Sequence, residues 1–212
     1  MSGQDIRAVI FDKDGVLVDT EGEYDRRRRI FFAENDIDDS AFQDFYGSNN
    51  AVIWGCVEPD DPARREVLYR AFLARFADEP VQYSRFLVPG VADTLRALKG
   101  RGLLLGLASS SPHWCMDNFL ADCGLTGIFD AVLSGEEVAA PKPAPDVYLA
   151  VMEALGVEQN QVLVVEDSSI GLRAAHDSGA RVCSILPPSA PVLDQSLADV
   201  HVDCFGDVLD LV

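Results

Sequence analysis

The hydrophobic positions of the chain fall into short, unbroken runs that are separated by longer stretches of mixed polarity. The run at residues 7–11 is rich in apolar residues and ends abruptly in Asp12. Such a run is typical of a strand that is buried on both faces, as in a parallel sheet. The same signature recurs at residues 103–108, 162–165 and 181–185, with a weaker copy at 131–133 and a possible edge strand at 199–203.

Helix-like stretches lie between these runs. We predict helices at residues 91–99, 113–123, 145–155 and 169–178. Each is followed by a glycine, the residue that most readily adopts the left-handed conformation closing a helix: Gly100, Gly124, Gly156 and Gly179. Strands that alternate with helices indicate right-handed crossovers. The sequence therefore predicts an α/β fold with a Rossmann-like parallel sheet.

One region breaks this alternation, because the pattern between the first two predicted strands is helical throughout. It predicts helices at residues 20–34, 39–45 and 63–76, with turns at 46–50 and 58–62, and Thr20 as a possible N-cap. We expect an α/β core domain formed by residues 1–15 and 86–212, and an inserted all-helical cap domain at 16–85.

The inserted region contains four consecutive arginines at residues 26–29. A helix spreads four consecutive residues around nearly its whole circumference, so that they cannot form one phosphate cradle. We expect a solvated helix whose arginines pair with Glu21, Glu23 and Asp25.

The charge of the chain excludes several classes of partner. The 212 residues include 35 acids and 17 bases, which gives a formal charge of −18. This excess disfavours general binding to nucleic acid and docking on an anionic membrane surface, because both depend on clustered cations. Only three bases are lysines, namely Lys13, Lys99 and Lys142. An acidic protein that handles a small anion has to place such cations carefully.

The five cysteines are odd in number and form no Cys-x-x-Cys pair. Buried free thiols in a reducing compartment are the simplest interpretation, with a zinc site or a nucleophilic cysteine as alternatives. Residues 1–7 lack the apolar segment of a signal peptide, and no apolar run approaches membrane-spanning length. We therefore expect a cytoplasmic protein, acting as a monomer.

Polar residues follow four of the predicted strands, at the edge where open α/β sheets bind their ligands. They are Asp12 and Asp14, the serines 109–111, Lys142 in the loop after the third strand, and Glu166 with Asp167. Singly, these are ordinary turn, N-cap or surface residues. Together, four crowded carboxylates call for a cation, and hard oxygen ligands without His or Cys favour Mg²⁺. Lys142 can then neutralise a phosphate.

Residues 12–21 resemble the first motif of the haloacid dehalogenase-like hydrolases. Ser109, Lys142 and the pair Glu166–Asp167 match the second, third and fourth motifs, so that the resemblance covers essentially the whole chain. The helical insertion falls where one subgroup of the family carries its cap. Lys13 occupies a variable position of the first motif, where only its backbone N–H is expected to matter.

The resemblance implies a Mg²⁺-dependent phosphatase that acts on a small phosphorylated metabolite, such as a sugar phosphate. It makes Asp12 the nucleophile that forms an aspartyl-phosphate, and Asp14 the general acid and base. It assigns Mg²⁺ to Asp12, the Asp14 carbonyl, Asp167 and, directly or through water, Glu166. It assigns the phosphoryl group to Ser109, Ser110 and Lys142.

Alternatives remain within the resemblance. Asp14 indicates phosphate transfer, because the related dehalogenases and phosphonatases lack an Asp there. A beta-phosphoglucomutase-like mutase has a cap His and a cap Arg where this chain has Tyr24 and an arginine-free turn at 47–50. A catalytically silent binding protein of the same fold is the other alternative. Candidate contacts to the leaving group are Glu21, Asn50 and Arg70.

Overall fold

The structure is a computed structural model that describes residues 5–40, 42, 45–48, 50–186, 190 and 193–212. Among these residues, six strands form one sheet in the order β3-β2-β1-β4-β5-β6, with every neighbouring pair parallel. The strands are β1 (Ala8–Phe11), β2 (Leu104–Ser109), β3 (Ala131–Ser134), β4 (Val162–Glu166), β5 (Arg181–Ile185) and β6 (Val200–Val202). The predicted Rossmann-like parallel sheet is confirmed.

Helices cover both faces of this sheet. On one face lie α4 (Val91–Gly100), α5 (His113–Asp122) and a 3-10 helix at Phe205–Leu211, and on the other lie α6 (Asp146–Leu155) and α7 (Ser169–Asp177). Successive residues of β1 enter the two apolar clusters in turn, with Phe11 in the first and Ile10 in the second. Burial on both faces explains why the strands are unbroken apolar runs.

An all-helical cap is inserted between β1 and β2. Its described helices are α1 (Glu21–Glu34), α2 (Asn50–Val57) and α3 (Pro62–Arg75). They enclose an apolar cluster of their own, which includes Phe31, Trp54 and Phe72. The boundaries 1–15, 16–85 and 86–212 remain a prediction. Residues 16–18 pack in the first of the two apolar clusters of the sheet, and Val18 forms a β-bridge with Leu87. This packing favours a boundary between the core and the cap nearer residue 19.

The second cap helix lies later in the chain than the sequence predicts. Of the predicted helix 39–45, residues 39, 40, 42 and 45 are not helical, and 41, 43 and 44 lie outside the described residues. The Asp38 carboxylate accepts a hydrogen bond from Ser40 N at 3.0 Å, a local turn contact that competes with a helix. The helix instead begins at Asn50, in the predicted turn, because Ile53 and Trp54 are buried in the cap cluster.

The four-arginine run is only half solvated. Arg26 and Arg29 are exposed and pair with Glu23 and Asp25. Arg27 and Arg28 also lie beside predicted partners, 2.7 Å from Glu23 and 3.6 Å from Glu21 respectively. The prediction of a solvated position is wrong for both, since they are 7% and 8% exposed. Their guanidinium groups lie 5.1 Å and 5.7 Å from aromatic ring centroids of the cap, those of Phe76 and Phe45 respectively. Because α1 packs one side against the cap cluster, two consecutive arginines turn inward and cover aromatic faces.

The cysteines are free but not uniformly buried. Cys115 and Cys183 are buried, whereas Cys56 and Cys204 are exposed, so that the expectation of buried thiols holds for only part of the set. Of the helices in the described ranges, none combines the length and the apolar character needed to cross a membrane.

Candidate active site

The two central strands bring three carboxylates together. Asp12 follows β1 and donates its N–H to Val165 O on β4 at 3.0 Å, and Glu166 ends β4 directly before Asp167. One carboxylate oxygen from each of the three acids lies within 4.8 Å of the others. The strand order reverses between β1 and β4, which is where open α/β sheets form their ligand crevice.

Lys142 connects these carboxylates from the loop before α6. Its ammonium donates to Asp12 Oδ1 at 2.6 Å, to Glu166 Oε1 at 2.7 Å and to Tyr148 OH at 2.8 Å. The Tyr148 hydroxyl in turn donates to Glu166 Oε1 at 2.6 Å. Lys142 is 5% exposed and Tyr148 is fully buried, so that these bonds lie away from solvent. Sequence reasoning missed Tyr148, whose only signal is its place on the apolar face of α6.

One buried lysine does not balance three buried carboxylates. Burial raises the pKa of Asp12 to about 7, although Lys142 opposes this shift. Burial and the neighbouring charge of Glu166 raise the pKa of Asp167 well above its usual value. Burial is also the largest effect on Glu166 and opposes its ionisation, but Lys142 and the hydrogen bonds from Tyr148 and the Ser168 N–H together lower its pKa below the usual value. The cluster therefore favours an additional cation, and its hard oxygen donors can bind a divalent metal.

Asp14 is held by a separate set of partners. Its Oδ1 accepts from Thr20 Oγ1 at 2.7 Å, and its Oδ2 accepts from Ser111 Oγ at 2.8 Å. Thr20 makes no side-chain capping bond to α1, because its hydroxyl is directed to Asp14 instead. The ammonium of the fully buried Lys13 lies 3.1 Å from Asp14 Oδ2 and 4.9 Å from the centroid of the Tyr83 ring. The expectation that only the Lys13 backbone matters is corrected.

Two glycines make room for the carboxylates. Gly15 has a φ of +84°, and a Cβ atom there would lie 2.0 Å from Asp167 Oδ2. In α7, a Cβ atom on Gly171 would lie 1.9 Å from Glu166 Oε1. Gly15 therefore serves both the turn after Asp14 and the close approach of Asp167.

The predicted phosphate-binding residues line one cavity with Asp12 and Asp14. This cavity has a volume of about 130 Å³ and is lined on the core side by Lys142 and by the serines 109–111. Ser109 ends β2, is 1% exposed, and accepts a hydrogen bond from Ser111 N at 3.1 Å. The serine turn thus lies against the same space as the two aspartates.

The cap closes the opposite side of this cavity. Glu21, predicted as a substrate contact, lines it from α1, and Asn50, also predicted, lines it from α2. Asn50 Nδ2 donates to Tyr69 OH on α3 at 3.1 Å, so that Tyr69 is a lining residue that the sequence did not reveal. Arg70 is not brought to the cavity. Its side chain is 77% exposed and pairs with Glu66 at 2.6 Å one turn away on α3.

Tyr24 joins the cap to the core beside the cavity. Its hydroxyl lies 3.0 Å from that of Tyr83. Burial, reinforced by the charge of Asp14, raises the pKa of Tyr24 well above its usual value. Tyr24 therefore stays a neutral phenol and is unsuited to act as a base near neutral pH.

Known proteins resemble this chain in sequence. Hexitol phosphatase B of Escherichia coli (strain K12) is 36% identical over 213 residues, covering 96% of this chain and 94% of that protein. Protein CbbY of Rhodobacter capsulatus is 31% identical over 199 residues, covering 87% of this chain and 86% of that protein.

Solved structures share the fold. CbbY from Rhodobacter sphaeroides in complex with phosphate gives a TM-score of 0.79 at 25% identity, over 96% of both chains. Beta-phosphoglucomutase from Clostridium difficile gives 0.77 at 21% identity, over 96% of this chain and 93% of that one, which is a likeness of fold alone. A family model, haloacid dehalogenase-like hydrolase, matches residues 9–185. With its motif residues gathered at the ends of β1, β2 and β4, this chain belongs to the haloacid dehalogenase-like hydrolases.

Proposed function

We propose that the protein is a Mg²⁺-dependent phosphatase that hydrolyses a small phosphomonoester through an aspartyl-phosphate on Asp12. The observation that carries the proposal is the pairing of Asp12 and Asp14 in one cavity, with Lys142 bound to Asp12. The similarity to hexitol phosphatase B supports a sugar or sugar-alcohol phosphate as the substrate. All of the proposed residues come from one chain, which is compatible with activity as a monomer.

Asp12 and Asp14 divide the two chemical steps. Lys142 fixes Asp12 Oδ1, and the carboxylate attacks phosphorus as the bond from phosphorus to the leaving oxygen breaks. Asp14 gives its proton to that leaving oxygen. It then takes a proton from the water that attacks the aspartyl-phosphate, which releases inorganic phosphate and restores Asp12. Thr20 and Ser111 each bind one Asp14 oxygen and so orient it.

The donor set of the carboxylate cluster fits Mg²⁺. We assign Asp12 and Asp167 of this cluster as residues that would hold it, together with the Asp14 backbone carbonyl that the family resemblance implies. The Glu166 oxygens already accept bonds from Lys142, Tyr148 and the backbone N–H of Asp167, which favours a water-mediated role for Glu166. When bound, Mg²⁺ supplies positive charge that stabilises the transferring phosphoryl group.

The core side of the cavity provides the remaining phosphoryl contacts. Lys142 contributes a positive charge, and Ser109 and Ser110 contribute the serine turn at the end of β2. Stabilising charge on the transferring group is the largest contribution to this kind of catalysis.

The residues of the cap favour a phosphatase reaction over a phosphosugar mutase reaction. Where the mutase resemblance requires a His, this chain has Tyr24, which is bonded to Tyr83 and remains neutral. We therefore propose water, rather than a second sugar hydroxyl, as the acceptor of the phosphoryl group.

Release of inorganic phosphate from sugar, sugar-alcohol and nucleotide monophosphates, measured with and without Mg²⁺, tests the proposal. We expect Asp12→Asn to abolish release and Asp93→Asn, at a position whose side chain is 93% exposed, to leave it unchanged. Acid-quenched wild-type protein should carry one added phosphoryl group by intact mass, and Asp12→Asn should not. Interconversion of glucose 1- and 6-phosphates would show that the protein is a phosphosugar mutase rather than a phosphatase. Absence of turnover on the whole panel would indicate a binding protein.

A further inference from the structure

Arg28 has no role in the mechanism proposed above, yet it lines the same cavity. The residue is 8% exposed, and its Nε has no hydrogen-bond partner in the described part of the chain. Its Nη2 lies 3.6 Å from Glu21 Oε2, beyond ordinary hydrogen-bond length. Buried polar groups are nearly always hydrogen-bonded. A buried guanidinium with an unsatisfied N–H beside a cavity therefore indicates an acceptor supplied by a ligand.

Arg28 belongs to a stripe that α1 presents to the cavity. Glu21, Tyr24 and Arg28 are three and four residues apart along the helix, a spacing that places them on one face, and all three line the cavity. The phosphoryl chemistry is assigned to the core side, on Asp12 and Asp14. The stripe on the cap side therefore contacts the leaving group rather than phosphorus.

The charges of this stripe indicate what kind of leaving group fits. Glu21 lies next to Arg28, and above its pKa of about 7 its negative charge would oppose a second phosphate or a carboxylate attracted by Arg28. A hydroxyl group has no such conflict. It can accept from an N–H of the Arg28 guanidinium, and a hydroxyl beside it can donate to Glu21.

The rest of the cap side has matching chemistry. Asn50 and Tyr69 add an amide and a phenol, and Trp54 and Phe72 add aromatic surface. Polar groups for hydroxyls and ring faces for C–H groups together suit a neutral, polyhydroxylated carbon chain.

We propose that Arg28, acting with Glu21, is a specificity-determining residue that binds hydroxyl groups of a neutral polyol or sugar leaving group. This inference rests on the proposed phosphatase function and adds the residue pair that selects its substrate. It also gives a polar partner to the buried Arg28 guanidinium, whose Nε the protein itself leaves without an acceptor in its described residues.

The test compares sorbitol 6-phosphate, whose leaving group carries hydroxyls, with propyl phosphate, whose leaving group carries none. We expect Arg28→Met to lower kcat/KM for sorbitol 6-phosphate by about 10- to 100-fold, the effect of one lost hydrogen bond to a charged group. For propyl phosphate we expect a change of less than about threefold. Arg28→Lys keeps the charge without the guanidinium N–H groups, and should show an intermediate loss that is confined to sorbitol 6-phosphate.

Arg29→Met is the matched control, because Arg29 is the next residue of the same run and its side chain is 68% exposed. It should leave both substrates unaffected. Thermal unfolding of each variant establishes that the protein is folded, and Arg28→Lys keeps the test decisive if Arg28→Met does not fold.

Three results would overturn the inference. Equal losses on both substrates would show that Arg28 only stabilises the cap. The second result is a wild-type preference for fructose 1,6-bisphosphate over sorbitol 6-phosphate that Arg28→Met removes. It would show that Arg28 binds a second anion rather than hydroxyl groups. Failure of the wild-type protein to release phosphate from any substrate would refute the proposed function itself, and with it this inference. Normal turnover with equal losses would refute the inference alone.

Discussion

Lys142 Nζ lies 2.6 Å from Asp12 Oδ1, although 130 residues separate them in the chain. The same ammonium lies 2.7 Å from Glu166 Oε1, so that one cation joins β1, β4 and the loop before α6. Both contacts are buried. Lys142 therefore contributes to the stability of the core as well as to the proposed phosphoryl site.

Lys142→Met should destabilise the protein by about 3–5 kcal/mol, because it leaves Asp12 and Glu166 buried without their shared cation. Urea unfolding in EDTA measures the loss in free energy of unfolding. Phosphate release should fall at the same time, because the proposed phosphoryl contact is removed.

The matched control is Lys99→Met. Lys99 pairs with Asp130 at 2.7 Å, but its side chain is 35% exposed, so that this ion pair should contribute less than about 1 kcal/mol. Equal losses in the free energy of unfolding for the two variants would show that burial does not make the Lys142 ion pairs more stabilising than that of Lys99.

Gly15→Ala should lower both stability and Mg²⁺ binding. An alanine there must adopt a φ near +84°, and its Cβ would meet Asp167 Oδ2 at 2.0 Å. Gly102→Ala isolates the backbone effect, because Gly102 has a φ of +83° and a Cβ atom there would have no neighbour within 4 Å among the described residues. We expect about 1–2 kcal/mol of strain for Gly102→Ala and a larger loss for Gly15→Ala. Titration with Mg²⁺ should show a lower affinity only for Gly15→Ala. Equal Mg²⁺ affinity in both variants would contradict the assigned role of Asp167.

Adding Mg²⁺ should raise the thermal unfolding midpoint of the wild-type protein, because an ion that binds only the folded state stabilises it by mass action. At about 100 times its Kd, the ion should contribute about 2.7 kcal/mol. Asp167→Asn should remove most of this gain, whereas Asp177→Asn, at a position whose side chain is 42% exposed, should retain it. Calorimetry with and without EDTA measures the difference. An unchanged gain in Asp167→Asn would place the metal elsewhere.

Glu21→Gln should become increasingly stabilising, relative to the wild-type protein, as the pH rises from about 5 to about 8. Burial raises the pKa of Glu21 to about 7. The folded state therefore holds this proton at a pH where the unfolded state has lost it, and the contribution of Glu21 to wild-type stability falls as the pH rises towards 7. The difference between the two proteins should grow by up to about 3 kcal/mol.

Urea unfolding at a series of pH values in EDTA measures this difference. Glu34→Gln is the control, because Arg75 donates to the Glu34 carboxylate and holds its pKa below the usual value. Glu34 is then ionised in both states above about pH 5, and its effect should not vary with pH. A constant difference for Glu21→Gln as well would contradict the burial effect.

The order of strands and helices could be predicted because it depends on local patterns. A run such as Ala8–Phe11 identifies a strand buried on both faces, and a glycine such as Gly156, with a φ of +65°, identifies the end of a helix. The gathering of Asp12 and Glu166 could also be predicted, because the carboxyl ends of parallel strands meet at one edge of the sheet.

The partners of these residues could not be predicted in the same way. Thr20 has the sequence context of a helix cap, but its hydroxyl binds Asp14, and Tyr148 has the pattern of an ordinary core residue, but its hydroxyl binds Glu166. Each contact joins side chains from different elements, and no local periodicity specifies which donor meets which acceptor.

The sequence by itself determined the parallel sheet, the place of the helical insertion and the acidic edge, because each follows from backbone geometry and residue spacing. Tertiary structure decided which cap residues face the cavity. Docking of α1 and α3 turned Arg28 inward and left Arg70 in solvent, although both are cap arginines on helices. The burial of a long charged side chain depends on what packs against its helix, and that is fixed only when the helices are assembled.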